Sequence, residues 1–357
     1  MTPFPRRDYR PLKPYDPGQM PIALDLSENT NLWGAHPAAL EVVRKAPPEA
    51  LTRYPSVHAS DLREAVADKY GLGSDSVTTG CGSHDLLDSL FRASTVPPGR
   101  MSFPSPSFSM VTVLARLNGL ETLPIPWRKA AVDPARLLLE EPDLVYVCRP
   151  NNPTGMSLER DWIHGLLALG GPDGPLVILD ESYADFGEDS FLGEAPSTDR
   201  LMVVRSLSNL YGLAGLRVGW AVGPKALVRE VEKSRGPYKV SQVAERAAVA
   251  ALEDSSGWVD RVRTETLENR ERLARELTSR GLHPLSSQAN FLLVPVEPAS
   301  ALEVSRALEA RGVRVRPFPD LSEVGDALRV SIGPWALMER FLEALDSLFD
   351  PEGGEPV

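Results

Sequence analysis

Lysine is scarce in this chain of 357 residues: Lys13, Lys45, Lys69, Lys129, Lys225, Lys233 and Lys239 are the whole supply. Chemistry that needs a lysine amine must draw on those seven. Cysteine is scarcer, with only Cys81 and Cys148, so neither a disulfide framework nor a thiolate metal cluster can be built, and no metal is expected. No apolar run approaches the ~20 residues of a membrane span. The first 20 residues are rich in Pro and Arg and contain no apolar stretch, unlike a signal peptide. These absences lead us to expect a cytoplasmic protein. Positive charge is also short: 38 Lys and Arg against 49 Asp and Glu leave a net charge of -11. That argues against a nucleic-acid surface. It leaves open the binding of a phosphate by a local nest of N–H groups and an arginine.

Short apolar or β-branched runs recur at 76–79, 100–103, 120–124, 144–148, 177–180, 201–205 and 218–222, with helical spacing at 83–93, 108–117 and 158–169. Strands alternating with helices predict an α/β fold with a mainly parallel seven-stranded sheet between helices. From 225 to 280 the pattern is long and helical, broken near Gly236-Pro237, as in a helix that bridges two domains. Residues 290 to 349 read strand, helix, strand, strand, helix, a smaller α+β domain. The expected division is an extended arm at 1–20, a large domain at 51–239, a small domain from 21–50 and 240–349 with the bridging helix, and a disordered tail at 350–357.

Polar motifs fall at or near the strand ends, where open α/β sheets bind ligands. Thr79-Gly80-Cys81-Gly82-Ser83-His84 opens a helix, and Pro104-Ser105-Pro106-Ser107-Phe108 ends in an aromatic. Asn151-Asn152-Pro153-Thr154-Gly155 follows a strand, and Asp180-Glu181-Ser182-Tyr183 follows another. The stretch from Val204 to Trp220 reads VRSLSNLYGLAGLRVGW, and Leu328-Arg329-Val330-Ser331 lies near the end of the chain.

In this order the six motifs resemble those of fold-type I aminotransferases that use pyridoxal 5'-phosphate (class I/II), closest in wording to the histidinol-phosphate aminotransferase branch. The resemblance runs from about residue 25 to 349 and implies that the large domain binds the cofactor. It implies a phosphate held by Gly82, Ser83, Ser206, Ser208 and Arg217, whose planar fork suits phosphate oxygens. Phe108 would stack on the pyridine ring or simply pack in the core. Asn152 and Tyr183 would meet the phenolic oxygen, and Asp180 the pyridine nitrogen. Arg329 would clamp an α-carboxylate, with Asn290, Asn29 and Trp33 lining the same pocket. Arg316 would meet a second anion or lie exposed at a strand end. Tyr54 would reach a neighbouring subunit's phosphate, implying a homodimer with shared sites, or would pack on its own subunit. His84 stands where the family more often has an acidic residue; it would join the cofactor-binding groups or be a helix-start residue without chemistry, and with no lysine in place His84, Tyr183 and Tyr211 are the candidate bases.

The family pattern S-L-S-K-x-Y-G-L-A-G-L-R has a lysine where this chain has Asn209. A lysine amine can bond the cofactor and carry protons, whereas an amide is neither nucleophile nor useful base. The expectation is therefore an enzyme acting on an amino-acid-like substrate, with pyridoxal or pyridoxamine 5'-phosphate held non-covalently, and not an ordinary transaminase. Asn209, Tyr183 and Asp180 would be its central groups. Lys239 either substitutes for the lysine or is a solvated surface residue. Two other readings stay open: an engineered Lys→Asn variant of an ordinary aminotransferase, and a non-catalytic binding homologue.

Overall fold

A computed structural model describes residues 20–187 and 189–349, with positions 4, 9, 10 and 14 before them. The expected N-terminal arm and C-terminal tail lie almost wholly outside the described residues.

Seven strands form the large sheet: β2 (Val77–Gly80), β3 (Gly99–Ser105), β4 (Leu120–Pro126), β5 (Leu144–Cys148), β6 (Leu176–Asp180), β7 (Leu201–Ser206) and β8 (Gly219–Val222), in the order β2-β8-β7-β6-β5-β3-β4. All run parallel except β8, which is antiparallel to both its neighbours. Side chains alternate along each strand. Val145, Val147, Val177 and Leu179 enter the core on one face, and Leu144, Tyr146, Cys148 and Ile178 the core on the other. Burial on both faces explains why these strands read as near-continuous apolar runs.

The remaining strands belong to a smaller unit. β9 (Phe291–Pro295), β11 (Arg316–Leu321) and β12 (Gly325–Ser331) form an antiparallel sheet, while β1 (Leu24–Asp25) pairs in parallel with β10 (Val313–Arg314). The long helical pattern resolves into three helices, Lys225–Lys233, Gln242–Glu253 and Trp258–Ser279. A second break, besides the one at Gly236-Pro237, comes before Gly257 in the left-handed region (φ 77°), where Ser256 N–H donates to Asp254 Oδ2 at 3.1 Å. The third helix spans both cores, giving Trp258 and Val262 to the large one and Leu273 and Leu277 to the small one. Helix Pro37–Arg44 and helix Gln242–Glu253 pack on each other and contribute Ala39 and Ala247 to the large core. Both share that core with one face of the large sheet.

The turn after Asn209 is locked to the segment before Pro37. Asn31 Nδ2 donates to Leu210 O at 2.7 Å, and His36 N–H to Tyr211 O at 3.2 Å. Gly212 has φ 64°, and a Cβ there would overlap the Gly34 carbonyl and lie 3.2 Å from Ala35 Cα. Gly212→Ala should therefore lower the unfolding free energy by about 2 kcal/mol in a urea titration, through both the left-handed backbone and the backbone clash.

Candidate active site

The carboxyl ends of β2, β3, β5, β6 and β7 open on one cavity of about 520 Å³, which the small unit closes with Arg316, Phe318 and Arg329. Of the residues expected at the site, Ser83, His84, Phe108, Asn152, Asp180, Tyr183, Ser206, Ser208, Asn209, Arg217, Asn29, Arg316 and Arg329 line it. Glu28, Cys148 and Ser182 also line it, though the sequence did not single them out.

At one end, Ser83 belongs to the first turn of helix Gly82–Ser94, and Ser206 and Ser208 are joined Oγ to Oγ at 2.9 Å. Gly82 does not line the cavity, but it makes room for a group that does. A Cβ at Gly82 (φ 80°) would lie 2.5 Å from Arg217 Nη2. Gly219 of β8 permits an equally close approach, since a Cβ there would lie 2.9 Å from Ser83 N. The result is a helix N-terminus, three hydroxyls and a guanidinium facing one space, a donor set suited to a phosphate dianion.

Asp180 sits at the floor. Its Oδ1 accepts from Ser182 N–H (3.1 Å) and Ser182 O–H (2.6 Å), and its Oδ2 from Tyr146 O–H (2.8 Å). The first two contacts are those of a turn cap, made while Asp180 also lines the cavity. Burial, then Asp180's charge, pushes the Tyr146 phenol well above its ordinary value, so it stays a donor. Tyr183 Oη accepts from Asn29 Nδ2 (3.0 Å) and Asn152 Nδ2 (3.4 Å). Burial raises its pKa to about 12, so its hydroxyl also keeps its proton. Arg329 donates from Nη1 to Asn152 Oδ1 and from Nη2 to Ser27 O, both at 2.6 Å.

His84, expected either at the cofactor site or as a helix start without chemistry, lines the cavity. Its ring stacks on Phe108 with centroids 5.1 Å apart and planes 14° from parallel. The imidazole meets the solvent of the cavity, yet protein surrounds it closely enough that desolvation lowers its pKa. Arg217 adds to this and Asp180 opposes it.

Four expected residues are placed elsewhere. Asn290 is buried behind the wall, where its Nδ2 donates to Asn29 O at 3.0 Å. Trp33 packs between the two cores and donates to Glu265 Oε2 at 2.6 Å. Tyr54 is 82% exposed and stacks on Tyr238 at 4.8 Å. Lys239 is neither at the cavity nor solvated, for its buried ammonium is paired with Glu232. No lysine among the described residues lines the cavity, and Asn209 does.

The family described as aminotransferase class I and II matches residues 21–345. This chain belongs to the class I and II aminotransferase family. It is 34% identical to histidinol-phosphate aminotransferase 1 of Bradyrhizobium diazoefficiens over 345 residues, 95% of this chain and 97% of that one. It is 34% identical to histidinol-phosphate aminotransferase 2 of Carboxydothermus hydrogenoformans over 97% of this chain and 99% of that one. The fold is that of the Sinorhizobium meliloti histidinol-phosphate aminotransferase solved with pyridoxal-5'-phosphate (TM-score 0.85, 22% identity, 98% and 99% covered). It is equally that of L-threonine-O-3-phosphate decarboxylase from Porphyromonas gingivalis (TM-score 0.81, 22% identity, 91% and 99% covered).

Family membership implies pyridoxal phosphate, and the donor set fits it: hydroxyls and Arg217 for the phosphate, the Phe108 face for the ring, Asp180 for the ring nitrogen. Gly82→Ala should displace Arg217 and weaken pyridoxal phosphate binding by tenfold or more in an absorbance titration, with an unchanged far-ultraviolet circular dichroism spectrum.

Proposed function

We propose that this chain is an enzyme of the aminotransferase fold that holds pyridoxal or pyridoxamine 5'-phosphate without a covalent anchor, and acts on an amino-acid-like substrate by a route other than ordinary transamination. The observation that carries this reading is a cavity lined by Asp180, Asn152, Tyr183, Arg217 and Asn209 but by no lysine among the described residues; we read Asn209 as standing where the family's lysine would be.

When bound, the cofactor supplies an electron sink for a carbanion at the substrate. Asp180 would hold the ring nitrogen in its protonated form, and Asn152 and Tyr183 would hold the phenolic oxygen. Ser83, Ser206, Ser208 and Arg217 hold the phosphate. Arg329 orients the substrate carboxylate, and Arg316, 4.0 Å from Glu28, meets a second anionic group. Asn209 cannot move a proton. His84 is the lining residue whose ordinary pKa is nearest neutrality. Its lowered pKa keeps it neutral at pH 7, so it is the proton acceptor we assign. Tyr211 lies outside the lining, and its phenol is raised by burial, so it is a poor base.

Exposed Leu51, Tyr54, Val57 and Tyr238 support a homodimer in which Tyr54 reaches the partner's site. No helix among the described residues is long and apolar enough to cross a membrane. A cytoplasmic location remains part of the proposal.

Asn209→Lys tests the reading. We expect a folded protein that binds the cofactor and still fails to transaminate amino acids, histidinol phosphate included, with 2-oxoglutarate. Transamination on restoring the lysine would make the chain an ordinary aminotransferase stripped of one residue. Failure of both the wild type and the variant to bind either cofactor form would point to a binding homologue.

A further inference from the structure

The orientation of the Asn209 amide says which form of the cofactor the site accepts. Asn209 is 9% exposed and lines the cavity. Its Nδ2 donates to Ser182 O at 3.0 Å, and that backbone carbonyl fixes which end of the amide is which, since only the nitrogen can donate. The Oδ1 is left as the acceptor, and no donor among the described residues reaches it. It is not among the enclosed polar atoms either, so it is open to the cavity.

The two cofactor forms differ at one substituent. Pyridoxamine phosphate carries an ammonium there, three donors and a positive charge. Pyridoxal phosphate carries an aldehyde oxygen, an acceptor. A fixed amide oxygen complements the first and opposes the second, and a hydrogen bond from a charged donor is among the stronger ones. In a site with a lysine the aldehyde gains a covalent bond that offsets this. Among the described residues this cavity offers none.

We infer that Asn209 makes the site selective for the amine form of the cofactor, so that the resting protein carries pyridoxamine phosphate and the amino-acid-like substrate enters as its carbonyl counterpart, whose oxygen leaves as water when the cofactor amine condenses with it. The inference rests on the cofactor reading above and adds which form is kept.

Calorimetric titration of the full-length protein with pyridoxamine phosphate and, separately, with pyridoxal phosphate tests it, alongside Asn209→Ala and Asn209→Asp. Tenfold or tighter binding of pyridoxamine phosphate is expected. The preference should shrink toward parity in Asn209→Ala and widen in Asn209→Asp, where a carboxylate faces the ammonium. Equal or tighter binding of pyridoxal phosphate by the wild type, or a preference that survives Asn209→Ala unchanged, would overturn the inference while leaving the cofactor reading intact. Binding of neither form would sink that underlying reading instead. Circular dichroism of each variant separates misfolding from lost selectivity, and Asn209→Asp, which keeps the side chain's size and shape, is the second route should Asn209→Ala fail to fold.

Discussion

Burying a guanidinium is costly unless it is hydrogen-bonded, and for Arg329 that cost shapes the molecule. It reaches from β12 to Asn152 in the turn after β5 and to Ser27 in the segment after β1. Three stretches far apart in sequence are thereby brought to one point. The faces of Phe291 and Phe318 lie 5.4 and 5.8 Å from the charge, shielding it on the small-unit side. From Asn152 the network passes to Tyr183, then to Asn29, whose backbone N–H donates to Ser331 Oγ at 2.9 Å. The cavity lies where this network meets the carboxyl ends of the large sheet. A ligand carboxylate arriving at Arg329 would add to contacts already in place, so the site is largely formed before it is filled.

The large sheet was legible because its strands are buried on both faces and so form short apolar runs, with polar turns between them. The site motifs were legible for a related reason: the polar residues that follow those runs, Asn151 to Gly155 and Asp180 to Tyr183, have no role in the sheet itself. Less legible was β11, where Pro317 and Pro319 argue against a strand. It survives as an edge strand of its sheet, where missing N–H donors are tolerated. Tyr146 read as core, as an inward-facing strand residue should. Only the register that sets Cys148 opposite Asp180 brings its hydroxyl to that carboxylate. Trp33 shows the reverse, for an aromatic residue in a polar loop resembles a ligand contact, and here it joins two cores.

Without a covalent anchor, every contact to the cofactor must be non-covalent. The three hydroxyls and Arg217 at the phosphate end would then carry most of the affinity, with Asp180, Asn152 and Tyr183 fixing the ring. That division is consistent with how firmly the floor is built: Asp180 accepts three hydrogen bonds before any ligand arrives. It is also consistent with the commitment of Lys239, whose side chain is mostly covered, to an ion pair with Glu232 away from the cavity lining.

The central claim, a cofactor held without a covalent bond, is most directly tested by saturating the protein with pyridoxal phosphate in the absence of substrate, reducing with borohydride, and measuring the intact mass. The account predicts a visible absorption band before reduction and an unchanged polypeptide mass afterwards. A mass gain equal to one reduced pyridoxyl phosphate, mapped to a single lysine such as Lys239, would contradict it.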